Sequence, residues 1–211
     1  MALSFPYALD FLSECLNSEQ ISLRLQRFDE MSGGGDGRIW SAQMAQPLWT
    51  ATYSLTGRDP AHARAINAKI NALDGTNQTM FWSDPYYSGP ASGMTTGLGN
   101  VTVASVRADR GAVALTGLPG SFEASAGDYL TIPYGSGRVY MGQLAEDGIA
   151  GAGGVLSQRE IRPYLPFGIA AGATVQLVRP YFKAMVADYT PFASFRGRWG
   201  DSASITILQK P

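Results

Sequence analysis

The sequence has almost none of the side chains that catalytic and metal sites most often use. Its 211 residues include one cysteine, Cys15, and one histidine, His62. A single cysteine cannot form an intramolecular disulfide, so the fold does not depend on an oxidising compartment. A zinc site of the usual Cys/His type is excluded by count, and a histidine-dependent nucleophile would have to use His62. We therefore expect no enzyme activity, no cofactor and no metal.

Charge is also scarce. Charged residues make up 16% of the chain and the net charge is −1, whereas an average chain has about 25%. No Lys/Arg run is present to neutralise phosphates, so we expect no specific nucleic-acid recognition. No apolar run reaches about 18 residues, so we expect no membrane insertion. The first segment lacks a basic region and carries Asp10 and Glu14, so it does not resemble a signal peptide, and we expect the chain to be made in the cytoplasm.

Carboxylates and glycine motifs are the remaining candidates for chemistry. Paired carboxylates could serve glycoside hydrolysis or bind Ca²⁺, but those in this sequence lie in or next to predicted turns, where solvated side chains are the favoured interpretation. The glycine-rich segments at 32–37 and 151–154 match no phosphate-binding loop, so we interpret them as turns or loop tips. The carboxylates concerned are Asp29, Glu30, Asp36, Glu146 and Asp147.

The first part of the chain alternates as β-strands do. In residues 21–28 the apolar side chains fall on every second position, which predicts a half-buried strand. The pattern ends at SGGGDG, residues 32–37, a predicted hairpin tip. A second strand region spans 38–55, where Pro47 marks an edge or a break because proline cannot donate to a ladder. Residues 5–16 predict either a short helix or a docking arm.

One helix is predicted over residues 59–74. Asp59 suits the N-cap, Pro60 the first helical position, and Gly75 a left-handed residue after the helix. Its apolar residues form one narrow stripe, as expected of a helix that packs on a sheet. The segment 79–82 then predicts a strand that returns to the core.

Residues 101–180 read as short strands separated by turns, typical of a small all-β sandwich or barrel. The Gly/Ser/Thr-rich residues 91–100 predict a linker before this region. Further along the chain, residues 190–201 predict a loop. Because the strands predicted at 181–189 and 202–209 resemble the first region, we predict two domains. One comprises 1–95 with 182–211, and the other is an inserted β domain, 96–181.

Two groups of residues are candidates for contact with partners. The flexible tip at Gly33, Gly34, Gly35 and Asp36 could become ordered at a subunit contact. Aromatic residues concentrate binding energy when exposed, and here core or turn packing and a contact surface are equally good interpretations. The aromatic candidates are Tyr86, Tyr87, Tyr164 and Phe167.

The order of the segments resembles a known family. A strand that begins at a tryptophan, LWTATYSL (48–55), leads into the helix, which continues into AKINALDGTNQTMFWSDP (68–85). A Gly-rich segment, a small β domain and a closing strand follow. This arrangement resembles the distal tail proteins of long-tailed, siphovirus-like bacteriophages and related prophages. The strand–helix–strand unit at 48–85 is its most specific part, and tail tube subunits share it.

The resemblance implies a fold and a role. The fold would be mainly β, a tail-tube-like β-sandwich with one flanking α-helix and an inserted β domain that projects outward. The role would be a structural virion protein, a homohexameric tail-tip ring that joins the tail tube protein to the hub or fibre proteins. It carries over no individual residues. Two alternatives remain: a carbohydrate-binding module with Tyr86, Tyr164 or Phe167 in a groove, and a cell-wall hydrolase that depends on Glu146 or Asp147.

Overall fold

A computed structural model describes residues 3–13, 15–195, 198–199 and 202–211. This part of the chain contains fourteen strands and one helix, which confirms the predicted mainly β fold with a single helix. Glu14 lies outside the described residues, as do residues 196–197 and 200–201 of the predicted loop. In chain order the elements are β1 (Leu16–Gly33), β2 (Ile39–Thr56), α1 (Pro60–Asn71), β3 (Met80–Ser83), β4 (Thr102–Val106), β5 (Ala112–Thr116), β6 (Glu123–Ala124), β7 (Tyr129–Tyr134), β8 (Arg138–Leu144), β9 (Gly148–Ile149), β10 (Leu156–Arg162), β11 (Tyr181–Thr190), β12 (Ser194–Phe195), β13 (Arg198–Trp199) and β14 (Ser202–Gln209).

The larger sheet has the strand order β1-β2-β14-β11-β3, with every neighbouring pair antiparallel. The alternation predicted for residues 21–28 sets its register: Ile21, Leu23 and Leu25 pair with Tyr53, Ala51 and Trp49 and pack on the same core. The strand β14 lies between β2 and β11. The segment predicted at 202–209 therefore completes the sheet begun by the first two strands.

The hairpin β1–β2 is much longer than its apolar alternation predicted. Its ladder continues to Gly33 opposite Ile39, and the turn closes through a bond from the Gly34 amide to the Arg38 carbonyl, 3.0 Å. The register shifts on both sides of Phe28, opposite the stretch that contains Pro47. Such bulges bend and twist a ribbon. The hairpin therefore changes direction where it leaves the core.

The helix α1 is shorter than predicted, ending at Asn71 rather than 74. The Asp59 carboxylate caps it by accepting from the His62 amide, 2.8 Å, and Pro60 opens the first turn. Leu73 and Asp74 donate to carbonyls three residues back instead of four, so the last turn is not α-helical, and Asp74 and Gly75 then have positive φ. The buried side of the helix packs on the core of the larger sheet through Ala63, Ile66 and Ile70.

The smaller sheet has the order β4-β5-β10-β8-β7 and closes into a barrel. Residues 172–176, at the end of the region predicted as short strands, form isolated bridges to both edge strands instead of a continuous strand. Val103 donates to Ala173, 2.9 Å, and Thr131 and Gln176 exchange two bonds of 2.8 Å. Of the sandwich or barrel alternatives, the barrel is found. A second core of buried residues fills it, and Phe122, Leu130 and Ile161 are among the largest.

Three predicted connections are different in the structure. The segment 91–100 is not a free linker, because Leu98 is buried in the barrel core. Residues 5–12 form turns rather than a helix, and Tyr7 bridges Met80 along the edge of β3, so this segment docks on its own sheet. Within the predicted loop 190–201, the short strands β12 and β13 pair with each other.

A buried polar seam joins the barrel to the larger sheet. The Trp49 indole N–H donates to the Met141 carbonyl, 2.7 Å, and its ring meets Tyr129 edge-on at 5.5 Å. On the other side of that tyrosine ring lies Tyr87, with ring centroids 5.1 Å apart. The Thr131 hydroxyl bonds both the amide and the carbonyl of Tyr181, each at 2.7 Å. The barrel is therefore packed against the larger sheet through shared side chains.

Asp128 is the centre of this seam and is 2% exposed. Its carboxylate accepts from the Ala91 amide and the Ser125 amide, each 2.8 Å, and from the Tyr87 hydroxyl, 3.3 Å. The same hydroxyl accepts from the Tyr129 amide, 3.0 Å. Burial raises the pKa of Tyr87, with a further contribution from the Asp128 charge. The phenol therefore stays protonated and can keep donating to the carboxylate.

Candidate interaction surfaces

The distal half of the β1–β2 hairpin projects away from both cores. Every residue from Asp29 to Gln46 is exposed, and we call this segment the hairpin arm. A strand advances about 3.3 Å per residue, so the arm reaches on the order of 20 Å beyond its base. The arm is held by its own backbone ladder, and no other layer covers it. An isolated two-stranded hairpin of this kind is marginally stable in water.

Large apolar side chains occupy both faces of the hairpin arm. Successive residues of a strand point to opposite faces, so Trp40, Ala42 and Met44 share one face. Ile39 lies on the other, with Met31, the partner of Ser41. Trp40 is 71% exposed, and the other three large side chains are about equally open. A flat partner would cover only one of these faces, whereas a groove would cover both.

A cleft of about 460 Å³ lies where the hairpin arm joins the rest of the molecule. Residues 43–46 of β2 form one wall, and two barrel loops form the other. Met44, Tyr164 and Phe167 are its large exposed side chains, and Phe167 is 90% exposed. We call it the arm-base cleft. It brings two of the predicted aromatic candidates together with a residue of the arm.

The loop that carries these aromatic residues is held from beneath by Arg110. Its guanidinium donates to the carbonyls of Leu165, 3.1 Å, and Ile169, 2.8 Å, and also to that of Pro166. The same guanidinium lies 5.5 Å from the centre of the Phe167 ring. An arginine satisfied by several carbonyls in one loop fixes the loop's shape. The exposed ring is thus presented by an ordered support.

An ion-pair network continues from this loop along the barrel. Arg107 pairs with Asp109, 2.7 Å, and with Glu160, which also pairs with Arg162, 2.9 Å. The hydrogen bond from Arg107 lowers the pKa of Asp109 to about 2 and, with that from Arg162, lowers the pKa of Glu160. Arg162 also stacks on the Tyr164 ring at 4.7 Å. The Asp109 and Glu160 carboxylates are therefore charged at neutral pH.

The other predicted contact residues lie elsewhere. Gly33, Gly34, Gly35 and Asp36 form the tip of the hairpin arm, where the Asp36 carboxylate accepts from the Arg38 amide, 3.1 Å. Tyr86 is exposed in the turn after β3, at the opposite edge of the larger sheet from the arm.

Tyr87 differs from the other candidates because it is half-buried and its hydroxyl is used within the seam. The predicted contact residues therefore lie at the tip of the arm, at the arm-base cleft and in the turn after β3, while Tyr87 lies in the interior.

The structure also places the residues considered for chemistry. Cys15 and His62 line one pocket of about 220 Å³. The Cys15 thiol donates to the Leu12 carbonyl, 3.2 Å, and His62 Nδ1 accepts from the Arg58 amide, 3.2 Å. A catalytic pair needs the thiol or hydroxyl to donate to the imidazole instead. The arrangement is that of a buried cysteine beside a capped helix.

The carboxylates are used in local structure. Asp29 pairs with Arg27, 2.7 Å, and Asp147 accepts from the Ala126 amide, 2.7 Å. Glu146 faces the Glu160 amide at 3.4 Å. Among the described residues, no group of three or more His, Cys, Asp or Glu side chains is placed to hold a metal ion. Across the described ranges, no helix has the length and apolarity needed to span a membrane.

Sequence reasoning missed the apolar residues of the hairpin arm. Ile39 and Trp40 fall in the strand region predicted at 38–55, and β-branched and aromatic side chains suit a pleated, half-buried surface. A usable signal is present in their position, directly after a glycine-rich tip and on both faces of one strand. A strand half-buried in its own core would show apolar residues on one face only.

Two comparisons with known proteins bear on identity. No protein-family model matches the chain, and no curated protein matches it.

Proposed function

We propose that this protein is a structural subunit that assembles with copies of itself through the hairpin arm. The observation that supports this most strongly is the arm, which is exposed over its whole length and carries large apolar side chains on both faces. Contiguous exposed apolar surface of this kind marks an interaction site. The low charged fraction of the chain, 16%, is consistent with a surface that is partly covered by partners.

A ring is the assembly that these features fit best. The arm extends the β1–β2 side of the larger sheet, and β3 forms the opposite edge. A copy that binds one neighbour through its arm and a second neighbour through a different surface makes head-to-tail contacts. Such contacts close into a ring when the rotation between copies permits. The resemblance to distal tail proteins proposes the setting: a homohexamer at the tail tip of a virion, assembled in the host cytoplasm between the tail tube protein and the hub or fibre proteins.

The first test is the native mass of the purified chain over a concentration series, with negative-stain images of the largest species. We expect a closed ring with a central channel. Ile39→Ser should weaken assembly by about tenfold or more, since it removes an apolar contact from the arm. Ile149→Ser is the matched control, because Ile149 is 65% exposed on the barrel and Ile39 73% on the arm. A wild-type chain that remains monomeric at every concentration would contradict the proposal.

Carbohydrate binding is the second candidate, and the arm-base cleft is the observation that favours it. Tyr164 and Phe167 line this cleft with arginine beneath or beside their rings. If this is the function, the full chain should bind a set of glycans on an array, and Phe167→Ala should lower that binding by about tenfold. The control is Tyr86→Ala, which removes an exposed aromatic ring outside the cleft. An array without signal for the wild-type chain would rule this candidate out.

A further inference from the structure

We propose that the arm-base cleft receives the hairpin arm of a neighbouring copy, so that successive copies join head to tail. This inference rests on the proposed function and adds the receiving site to it. Its occupant is a second copy of this chain. The arm and the cleft together carry six of the ten large exposed apolar side chains among the described residues: Met31, Ile39, Trp40, Met44, Tyr164 and Phe167.

The shapes of the two surfaces fit each other. An arm with apolar side chains on both faces needs a groove with two walls, since one flat surface leaves half of them in water. The arm-base cleft has two walls, one from β2 residues 43–46 and one from the barrel loops around Arg110 and Phe167. Its volume of about 460 Å³ is in the range of sites that enclose large groups. The cleft therefore has room for an indole such as that of Trp40 between its walls.

A chain cannot fill its own cleft with its own arm. Met44 lines the cleft, and Trp40 lies four residues further along the same strand. At about 3.3 Å per residue the two side chains are separated by on the order of 13 Å, and the ladder with β1 keeps the strand extended between them. The contact is therefore between molecules. Because donor and receiver are different surfaces, it is heterologous.

The receiving loop is already ordered before any partner arrives. Arg110 holds the carbonyls of Leu165, Pro166 and Ile169, and the Leu165 amide donates to the Arg110 carbonyl, 2.9 Å. Phe167 is thereby exposed without being free to collapse on its own domain. A preorganised receptor loses less conformational entropy on binding. Nearly all of the conformational entropy lost on binding is therefore lost by the arm, and the arm's backbone is itself held by a ladder of hydrogen bonds.

Charge favours the same pairing. The arm carries three carboxylates and one arginine, whereas the barrel residues beside the cleft carry three arginines and two carboxylates. Opposite potentials orient two surfaces as they approach. The charged residues of the arm are Asp29, Glu30, Asp36 and Arg38, and those beside the cleft are Arg107, Asp109, Arg110, Glu160 and Arg162.

The test mixes two full-length variants that each lack one half of the contact. Trp40→Asp removes the donor, and Phe167→Asp removes the receiver. Each variant alone should lose all species above the monomer, with self-association weakened more than about tenfold. An equimolar mixture should form a 1:1 heterodimer, because the intact arm of the Phe167→Asp chain meets the intact cleft of the Trp40→Asp chain. A size tag on one variant identifies the pair by native mass.

Controls and contrary outcomes separate this inference from the proposed function. Both side chains are exposed, so both variants should melt at the wild-type temperature, and Ile149→Asp should assemble as the wild type does. If Phe167→Asp assembles normally, whether or not it loses glycan binding, the receiving site is wrong and the proposed function stands. If each variant is monomeric and the mixture is too, an intact arm does not bind an intact cleft, and the inference is wrong. A monomeric wild-type chain overturns both.

Discussion

Replacing Asp128 with alanine should lower the free energy of unfolding by about 3 to 5 kcal/mol. The carboxylate is buried and accepts from two backbone amides and the Tyr87 hydroxyl. Removing it leaves these three donors without their partner in a place that water reaches poorly, and each such loss costs about 1–3 kcal/mol. At about 2–4 °C per kcal/mol for a chain of this size, the melting temperature should fall by about 6–20 °C.

Urea unfolding followed by tryptophan fluorescence measures the effect. Asp128→Asn is the informative second variant. Its one acceptor oxygen can still serve Tyr87 and Ala91, but its amide group would face the Ser125 amide, so we expect an intermediate loss. Asp147→Ala is the matched control, because Asp147 also accepts a backbone amide but is exposed, and we expect little change. If Asp128→Ala were as stable as this control, the seam would not contribute to folding.

Replacing Trp49 with alanine should cost about 4 kcal/mol. The side chain is 2% exposed, packs edge-on against Tyr129 and donates to the Met141 carbonyl. Truncating a buried tryptophan loses its transfer free energy and leaves a cavity, typically at a cost of about 3–5 kcal/mol. The melting temperature should fall by about 8–16 °C.

Trp49→Phe separates packing from hydrogen bonding. Phenylalanine keeps most of the apolar contact and removes only the donor, so we expect a loss of about 1–3 kcal/mol from the unpaired carbonyl. Differential scanning calorimetry of both variants gives the comparison. Because Trp49 belongs to the larger sheet and Met141 to the barrel, we expect one unfolding transition for the whole chain. Its midpoint temperature should fall in both variants. Two transitions, of which only one moves, would show that the barrel and the sheet unfold independently.

The structure shows which parts of the fold the sequence could predict. The strand at 21–28, the helix cap at Asp59 and the final strand at 202–209 follow from alternation, capping chemistry and turn residues, which are local properties. The length of the hairpin does not follow from them. Its outer half is held by backbone bonds between two exposed strands, and such bonds leave no apolar period in the sequence.

Long-range contacts account for the other differences. Residues 91–100 look like a linker because they are rich in Gly, Ser and Thr, yet Leu98 is buried in a core built from strands that follow it. Residues 172–176 are bounded by turn residues as a strand would be, but they bridge two edges of the barrel instead. Neither outcome can be obtained without the positions of distant strands.

The candidate site was predicted only in part. Tyr164 and Phe167 are exposed and adjacent to the same cleft, whereas Tyr87 has the same residue type and a similar Pro-containing neighbourhood but a half-buried position. What separates them is Asp128, 41 residues away in the sequence from Tyr87. The second wall of the cleft comes from Met44 in the hairpin, which no local pattern connects with residues 164–167.

The position of β14 has a consequence for how the chain is made. Of the described strands it is translated last, yet it occupies the middle of the larger sheet, between β2 and β11. The barrel strands all precede it in the sequence, so the barrel can close during synthesis while the larger sheet is still in two separate pieces. Pairing across such long loops is slow. The barrel half of the arm-base cleft can therefore form before the sheet that anchors the hairpin is complete, and sheet completion sets the time at which the subunit becomes competent to join others.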